Sequence, residues 1–181
     1  MRPNSSLKKI VTIGLFSALG IALGLLLAPV PNVELVTATI FISGQVLGIQ
    51  GGILVGLLTE SLYSFLSPYG IAPMPIFLAQ IISMMIVGYW GGRIGKLKPM
   101  PTFKIHLITG LSGLALTLIF AILTTLAYVL FIEINTKILI SSLLTGLSFY
   151  VIHILSNTGI FILIVPVVVQ RLNQVIKKSN P

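Results

Sequence analysis

Ten of the eleven Lys and Arg residues in this chain fall into three short clusters, separated by pairs of apolar segments each long enough to cross a bilayer. The clusters are Arg2, Lys8 and Lys9, then Arg93, Lys96, Lys98 and Lys104, then Arg171, Lys177 and Lys178; Lys137 stands alone. Basic residues flanking membrane spans stay on the cytoplasmic side. The pattern therefore predicts an integral membrane protein whose connections between clusters cross an even number of times, with both termini inside the cell. Composition agrees. Of 181 residues, 56% are hydrophobic and 8% charged, and the mean hydropathy is +1.10. That is too little charge to solvate the surface of a soluble globule of this size, so lipid must cover much of it.

A formal charge of +8 would suggest nucleic acid in a soluble domain. Beside apolar spans, basic residues instead anchor to anionic headgroups, so the expected partner is membrane lipid and not nucleic acid. The chain has no cysteine, which excludes disulfides, thiolate metal sites and cysteine nucleophiles. The first apolar run is long for a signal-peptide core and lacks a small-x-small cleavage pattern, so it is expected to be retained as a span.

A bilayer core of about 30 Å takes about 20 helical residues. Span one is predicted from Lys9 to Ala28, stopped by Pro29, Pro31 and Asn32 in an outer loop. A short span two starts near Glu34, whose carboxylate suits a helix N-terminus, and ends at Leu47 to Gly48. Gln50, Gly51 and Gly52 supply a tight inner turn. Span three runs to Leu66, and Ser67, Pro68, Tyr69, Gly70 and Pro73 form the second outer loop. Span four, Pro75 to Gly92, leads to the central basic cluster. Pro99 and Pro101 break the chain there, and span five takes His106 to Leu130, before an outer loop of Glu133, Asn135 and Lys137. From Ile138 to Val169 the run is too long for one untilted crossing. Two readings stay open: one long, kinked helix, or a partly embedded segment followed by a crossing from Val151. The irregularity is expected at Asn157, Thr158 and Gly159. The predicted fold is all-α, a compact six-helix transmembrane bundle forming a single domain over 1–181, with N and C termini cytoplasmic and the final helix long or kinked.

Gly14, Ala18 and Ala22 recur at steps of four and so share one face of span one, where small side chains let another helix approach closely. Gly20, Gly24 and Ala28 repeat the spacing on a neighbouring face. One such face can knit the bundle while the other meets a partner. Further sets occur at Gly44, Gly48, Gly52 and Gly56, and at Gly88 and Gly92.

Glu60 lies inside span three, where a carboxylate needs a partner or a wet cavity. A ligand contact, an internal hydrogen bond and an ion or proton relay all remain open for it. Tyr63 and Ser64, three and four residues on, share its face. Gln80, His153, Ser156 and Asn157 add uncharged donors and acceptors. His106 and His153 come with no multidentate set, so no metal is expected. No Gly-rich loop ends in Gly-Lys-Ser/Thr, so the chain is not expected to bind or hydrolyse nucleotide itself. It has no Asp, hence no Ser-His-Asp set, and an enzyme is not expected. From polarity and depth, the candidate solute contacts are Asn32, Glu34, Glu60, Tyr63, Tyr69, Gln80, His153 and Asn157, at the outer end of the bundle.

The six-span order, the small-residue ladder of span one, and the stretches PNVELVT (31–37), GILVGLLTESLYSFLSPYGIAPMP (52–75) and FYVIHILSNTGIF (149–161) resemble the substrate-binding, or S, components of energy-coupling factor vitamin transporters. The resemblance covers essentially the whole chain. It implies a small bundle in the plasma membrane of a bacterium or archaeon, which captures a vitamin or related micronutrient at its outer end and needs no cofactor. It also implies a transmembrane coupling subunit and two cytoplasmic ATPase subunits as partners. The family's Ala-x-x-x-Ala coupling surface falls here on Ala18 and Ala22, extended upstream by Gly14. Two other classes are weighed against it: a stand-alone secondary transporter using Glu60 as its coupling carboxylate, and a non-transport structural or regulatory membrane protein.

Overall fold

A computed structural model describes residues 5–97 and 101–179. Arg2, Lys98 and Pro99 lie outside the described residues, as do the side chains of Lys177 and Lys178. The described chain is helical: α1 (Ser5–Leu27), α2 (Val36–Leu66), α3 (Met74–Ile94), α4 (Thr102–Ile132), α5 (Thr136–Leu163) and α6 (Val165–Ser179). Five helical runs among the described residues are long and apolar enough to cross a membrane, the fifth being α5 continued into α6 as far as Leu172.

The run α2 is interrupted at Gly48, whose φ of 77° and ψ of 179° no ordinary L-residue adopts without strain. The chain reverses there. A Cβ placed on Gly52 would strike the Cα of Gly44, although these residues would lie about 12 Å apart along one straight helix. The inner turn thus sits at Gly48, just ahead of Gln50, Gly51 and Gly52. The four-residue series Gly44, Gly48, Gly52 and Gly56 is accordingly split between two antiparallel arms and does not form a single face. The first arm, residues 36–47, rises about 18 Å, short of a hydrocarbon core of roughly 30 Å.

Small residues set the spacing of this hairpin against α3. Gly44 and Gly52 both abut the Gly88 carbonyl, Gly56 abuts that of Met84, and Gly91 that of Phe41. Helices this close bury backbone against backbone, where dispersion contacts are dense and no side chain intervenes. Around the three arms a core of Ile40, Phe41, Val55, Val87, Phe161 and Val165 is almost wholly buried. Phe41 and Phe161 meet with ring centroids 5.0 Å apart. Several buried hydroxyls are satisfied within their own helices: Ser43, Ser83 and Thr117 donate to the carbonyls of Ile40, Ala79 and Gly113 at 2.7, 2.7 and 2.8 Å. Trp90 ties α3 to α4 by donating its indole N–H to Ser112 Oγ at 3.1 Å.

The final stretch is one continuous helix to Leu163, with its break at Ile164 and α6 beginning at Val165. This corrects the expected irregularity at Asn157, Thr158 and Gly159, which remain helical. Pro166 is the cause, because a proline inside a helix has no N–H for the carbonyl four residues back. That carbonyl belongs to Ile162, and His106 of α4 takes it up with Nδ1 at 2.7 Å. The same contact brings the start of α4 to the end of α5. Gly95 packs on Gln45, and Thr12 and Leu172 line one groove. The described parts of all three basic clusters therefore gather at one end of the bundle.

Candidate functional site

The opposite end is built from the α1–α2 connection, the α2–α3 connection and the middle of α5. Asn32 has φ 59°, in the left-handed region that asparagine tolerates better than most residues. Two residues on, Glu34 caps the start of α2, its Oε2 accepting the Thr37 backbone N–H at 2.8 Å. The loop is fastened on two sides. Ser156 Oγ donates to the Asn32 carbonyl at 2.7 Å, and the Tyr69 hydroxyl donates to the Ala28 carbonyl at 2.6 Å.

These segments border an open cavity of about 400 Å³ whose wall includes Asn32, Glu34, Tyr63, Tyr69, Phe149 and His153. The volume is in the range of small-molecule sites, which combine apolar walls with a few polar groups that fix orientation. Glu34 Oε1 lies 3.8 Å from His153 Nε2 and has no hydrogen-bond donor. A buried acceptor in that condition is costly unless a ligand meets it. Burial pushes the Glu34 carboxyl up, but His153 and Thr37 outweigh it and hold the group below the usual carboxylate range. His153 is steadied from behind. The Asn157 amide lies 3.1 Å from His153 Nε2 and donates to Thr117 Oγ1 at 3.2 Å, and the Phe120 ring stands edge-on to the imidazole at 5.7 Å.

Five of the eight residues proposed from polarity and depth, Asn32, Glu34, Tyr63, Tyr69 and His153, therefore line one cavity. Asn157 is fully buried behind His153 and does not line the cavity. Glu60 is buried away from the cavity wall, accepting from Ser64 Oγ at 3.4 Å. Gln80 is half-buried on α3 and does not line the cavity. Phe149 was missed by the sequence reading. Its spacing of four from His153 was the available signal, since it puts both on one face of α5. The Tyr63 ring owes its place to Gly24, where any Cβ would collide with it.

On α1 the two small-residue faces have different surroundings. Gly20 meets Thr59 and Thr39, and Gly24 meets Tyr63 and Val36, so that ladder packs inside the bundle. Gly14, Ala18 and Ala22 are exposed, with open space where a Gly14 Cβ would be. Among the described residues no group of His, Asp and Glu has metal-binding geometry.

No curated protein and no solved structure matches the chain. The family described as ECF-type riboflavin transporter, S component, matches residues 4–171. With that match over a helical bundle of membrane-crossing length, the chain belongs to the S components of ECF-type vitamin transporters, the non-catalytic, membrane-embedded subunits of ATP-driven importers in the plasma membranes of bacteria and archaea.

Proposed function

We propose that this S component binds riboflavin in the cavity between the 29–34 connection, Tyr63, Tyr69 and the Phe149–His153 turn of α5. The family's description supplies the vitamin, and one observation carries the site: Glu34 Oε1, a buried acceptor without a donor, on the wall of an aromatic-bearing cavity. The flavin ring system is flat and apolar on its faces and carries an imide N–H at one edge. Tyr63 and Phe149 offer ring surface, and Glu34 offers a charge-assisted acceptor for that N–H. Tyr69 contributes its ring and an acceptor oxygen but no donor, because its hydroxyl proton is committed to Ala28. Asn32 and Asn157 hold the loop and His153, whereas Glu60 and Gln80 are left out of the contact set.

The same reading takes the two arms of α2 as two crossings, giving six in a single domain with both termini cytoplasmic. The gathering of the described basic residues at one end supports it. It further assigns the uncovered Gly14, Ala18 and Ala22 face to a transmembrane coupling subunit driven by two cytoplasmic ATPase subunits.

Titration of the purified protein with riboflavin, followed by flavin fluorescence, tests the site. Glu34→Gln keeps the shape and an oxygen for Thr37 but removes the charge. Affinity should fall about 10- to 100-fold, the loss of one hydrogen bond to a charged group. Unchanged affinity would remove Glu34 from the site. The pH dependence has a fixed sign. Because its folded-state pKa is lowered, the stability Glu34 contributes is present above the unfolded carboxylate value of about 4.3 and is lost as pH falls through the folded value. The stability difference between wild type and Glu34→Gln should therefore shrink as pH falls below the unfolded carboxylate value.

A further inference from the structure

We propose that the cleft between the outer halves of α4 and α5 is a second subsite, which takes the hydroxylated arm of the ligand whose ring system occupies the Glu34 cavity. The inference rests on the riboflavin reading, since riboflavin joins a flat ring system to a linear polyol chain. The cleft has a volume of about 650 Å³ and opens between Ile132 and Ile138, the outer ends of the two helices. Phe149 lines both this cleft and the Glu34 cavity. The two spaces therefore adjoin across one side chain, and a ligand passing over that ring reaches both.

The face of α5 that lines the cleft is continuous with the face that builds the first cavity. Ser142, Thr145, Phe149, His153 and Ser156 succeed one another at steps of three and four, a single stripe on a helix. Its outer half carries hydroxyls where the neighbouring Leu143, Leu144 and Leu147 are exposed apolar side chains. Three of the hydroxyl hydrogens are already committed. Ser142 Oγ donates to the Ile138 carbonyl at 2.8 Å and Thr145 Oγ1 to that of Ser141 at 2.9 Å, while the Tyr150 hydroxyl and Thr125 Oγ1 share a bond of 2.7 Å. Each oxygen keeps a lone pair, so the cleft presents acceptors and calls for a ligand rich in O–H donors. A polyol chain has that chemistry and an acyl chain does not. Gly146 keeps the floor low, since any side chain there would strike the Tyr150 ring.

Two flavins separate the subsites: riboflavin, and lumiflavin, in which a methyl group replaces the polyol arm. Wild-type protein should bind riboflavin more tightly than lumiflavin. The Ser142→Ala/Thr145→Val double variant should lose about tenfold in riboflavin affinity, as expected for one or two net hydrogen bonds, and bind lumiflavin as wild type does. Retained lumiflavin binding also shows that the variant folds. Tyr150→Phe should act in the same selective way. Equal wild-type affinity for the two flavins, or an unchanged preference for riboflavin in the double variant, would overturn the subsite alone. Failure of wild-type protein to bind either flavin would overturn the riboflavin reading and the subsite with it. Glu34→Gln provides the complementary arm: it should weaken both flavins alike.

Discussion

At the scale of single residues, the bundle is shaped by backbone groups that a membrane leaves without water. Pro166 deprives the Ile162 carbonyl of its helical donor, and His106 supplies one from α4. The bond to Ile162 gives this imidazole in an apolar helix a structural cause. The expected consequence is a coupling between two distant positions. His106→Ala alone leaves an orphan carbonyl and should destabilise by about 1–3 kcal/mol. In a Pro166→Ala background the restored N–H serves Ile162, and the same His106→Ala change should cost much less. Thermal unfolding of the four proteins in one detergent measures the coupling directly; additive losses would show that His106 stabilises by some other contact. The acceptor on Glu34 is the reverse case. Its second oxygen is left without a donor while the first caps α2, and its place on the cavity wall is what makes it the group proposed to meet a ligand.

At the scale of elements, much of the architecture was legible because membrane spans announce themselves by length and by the charges that bound them. The outer loops at Pro29–Asn32 and Ser67–Pro73 fall between helices as their turn residues require, and Glu34 caps α2 as a carboxylate at a helix start should. What the sequence concealed follows from residues with two uses. Asn157 and Gly159 read as helix breakers, yet Asn157 is held inside the helix by Thr117 and His153, so its amide has no cause to compete with the backbone. Pro166 broke the helix instead. The glycines of residues 44–56 looked like one ladder because periodicity alone does not show a chain reversal. Glu60 counted among the candidate contacts for its polarity and depth, but depth alone does not say which side of the helix faces the cavity. The reversal gives a test. Gly48→Ala forces a side chain into a glycine-only backbone region and should cost about 1–3 kcal/mol, although a Cβ there meets nothing. Gly88→Ala keeps a helical backbone but drives a methyl into the Gly52 carbonyl, and should cost at least as much by separating α2 from α3. Thermal melts that left Gly88→Ala as stable as wild type would mean that the three arms do not pack as closely as described.

At the scale of the whole molecule, the two small-residue faces of α1 have different surroundings. Its inner face, Gly20 and Gly24, seats α2 and sets the Tyr63 ring at the cavity; its outer face, Gly14, Ala18 and Ala22, is exposed. A helix that only knitted its own bundle would have no need of small residues on the lipid side, where leucine serves equally well. A smooth face permits close approach by a helix from another subunit. Substitutions on the two faces should therefore separate assembly from binding. Ala18→Leu or Ala22→Leu should reduce co-purification with the coupling subunit by about tenfold or more, since losing roughly 1.4 kcal/mol of packing has that effect. Riboflavin affinity of the isolated subunit should stay unchanged, because neither residue lines the cavity. Gly24→Leu should do the opposite in the isolated subunit, displacing Tyr63 and weakening the flavin. If Ala18→Leu and Ala22→Leu both assembled and supported uptake like wild type, the outer face of α1 would be a lipid-facing surface and the coupling contact would lie elsewhere on the bundle.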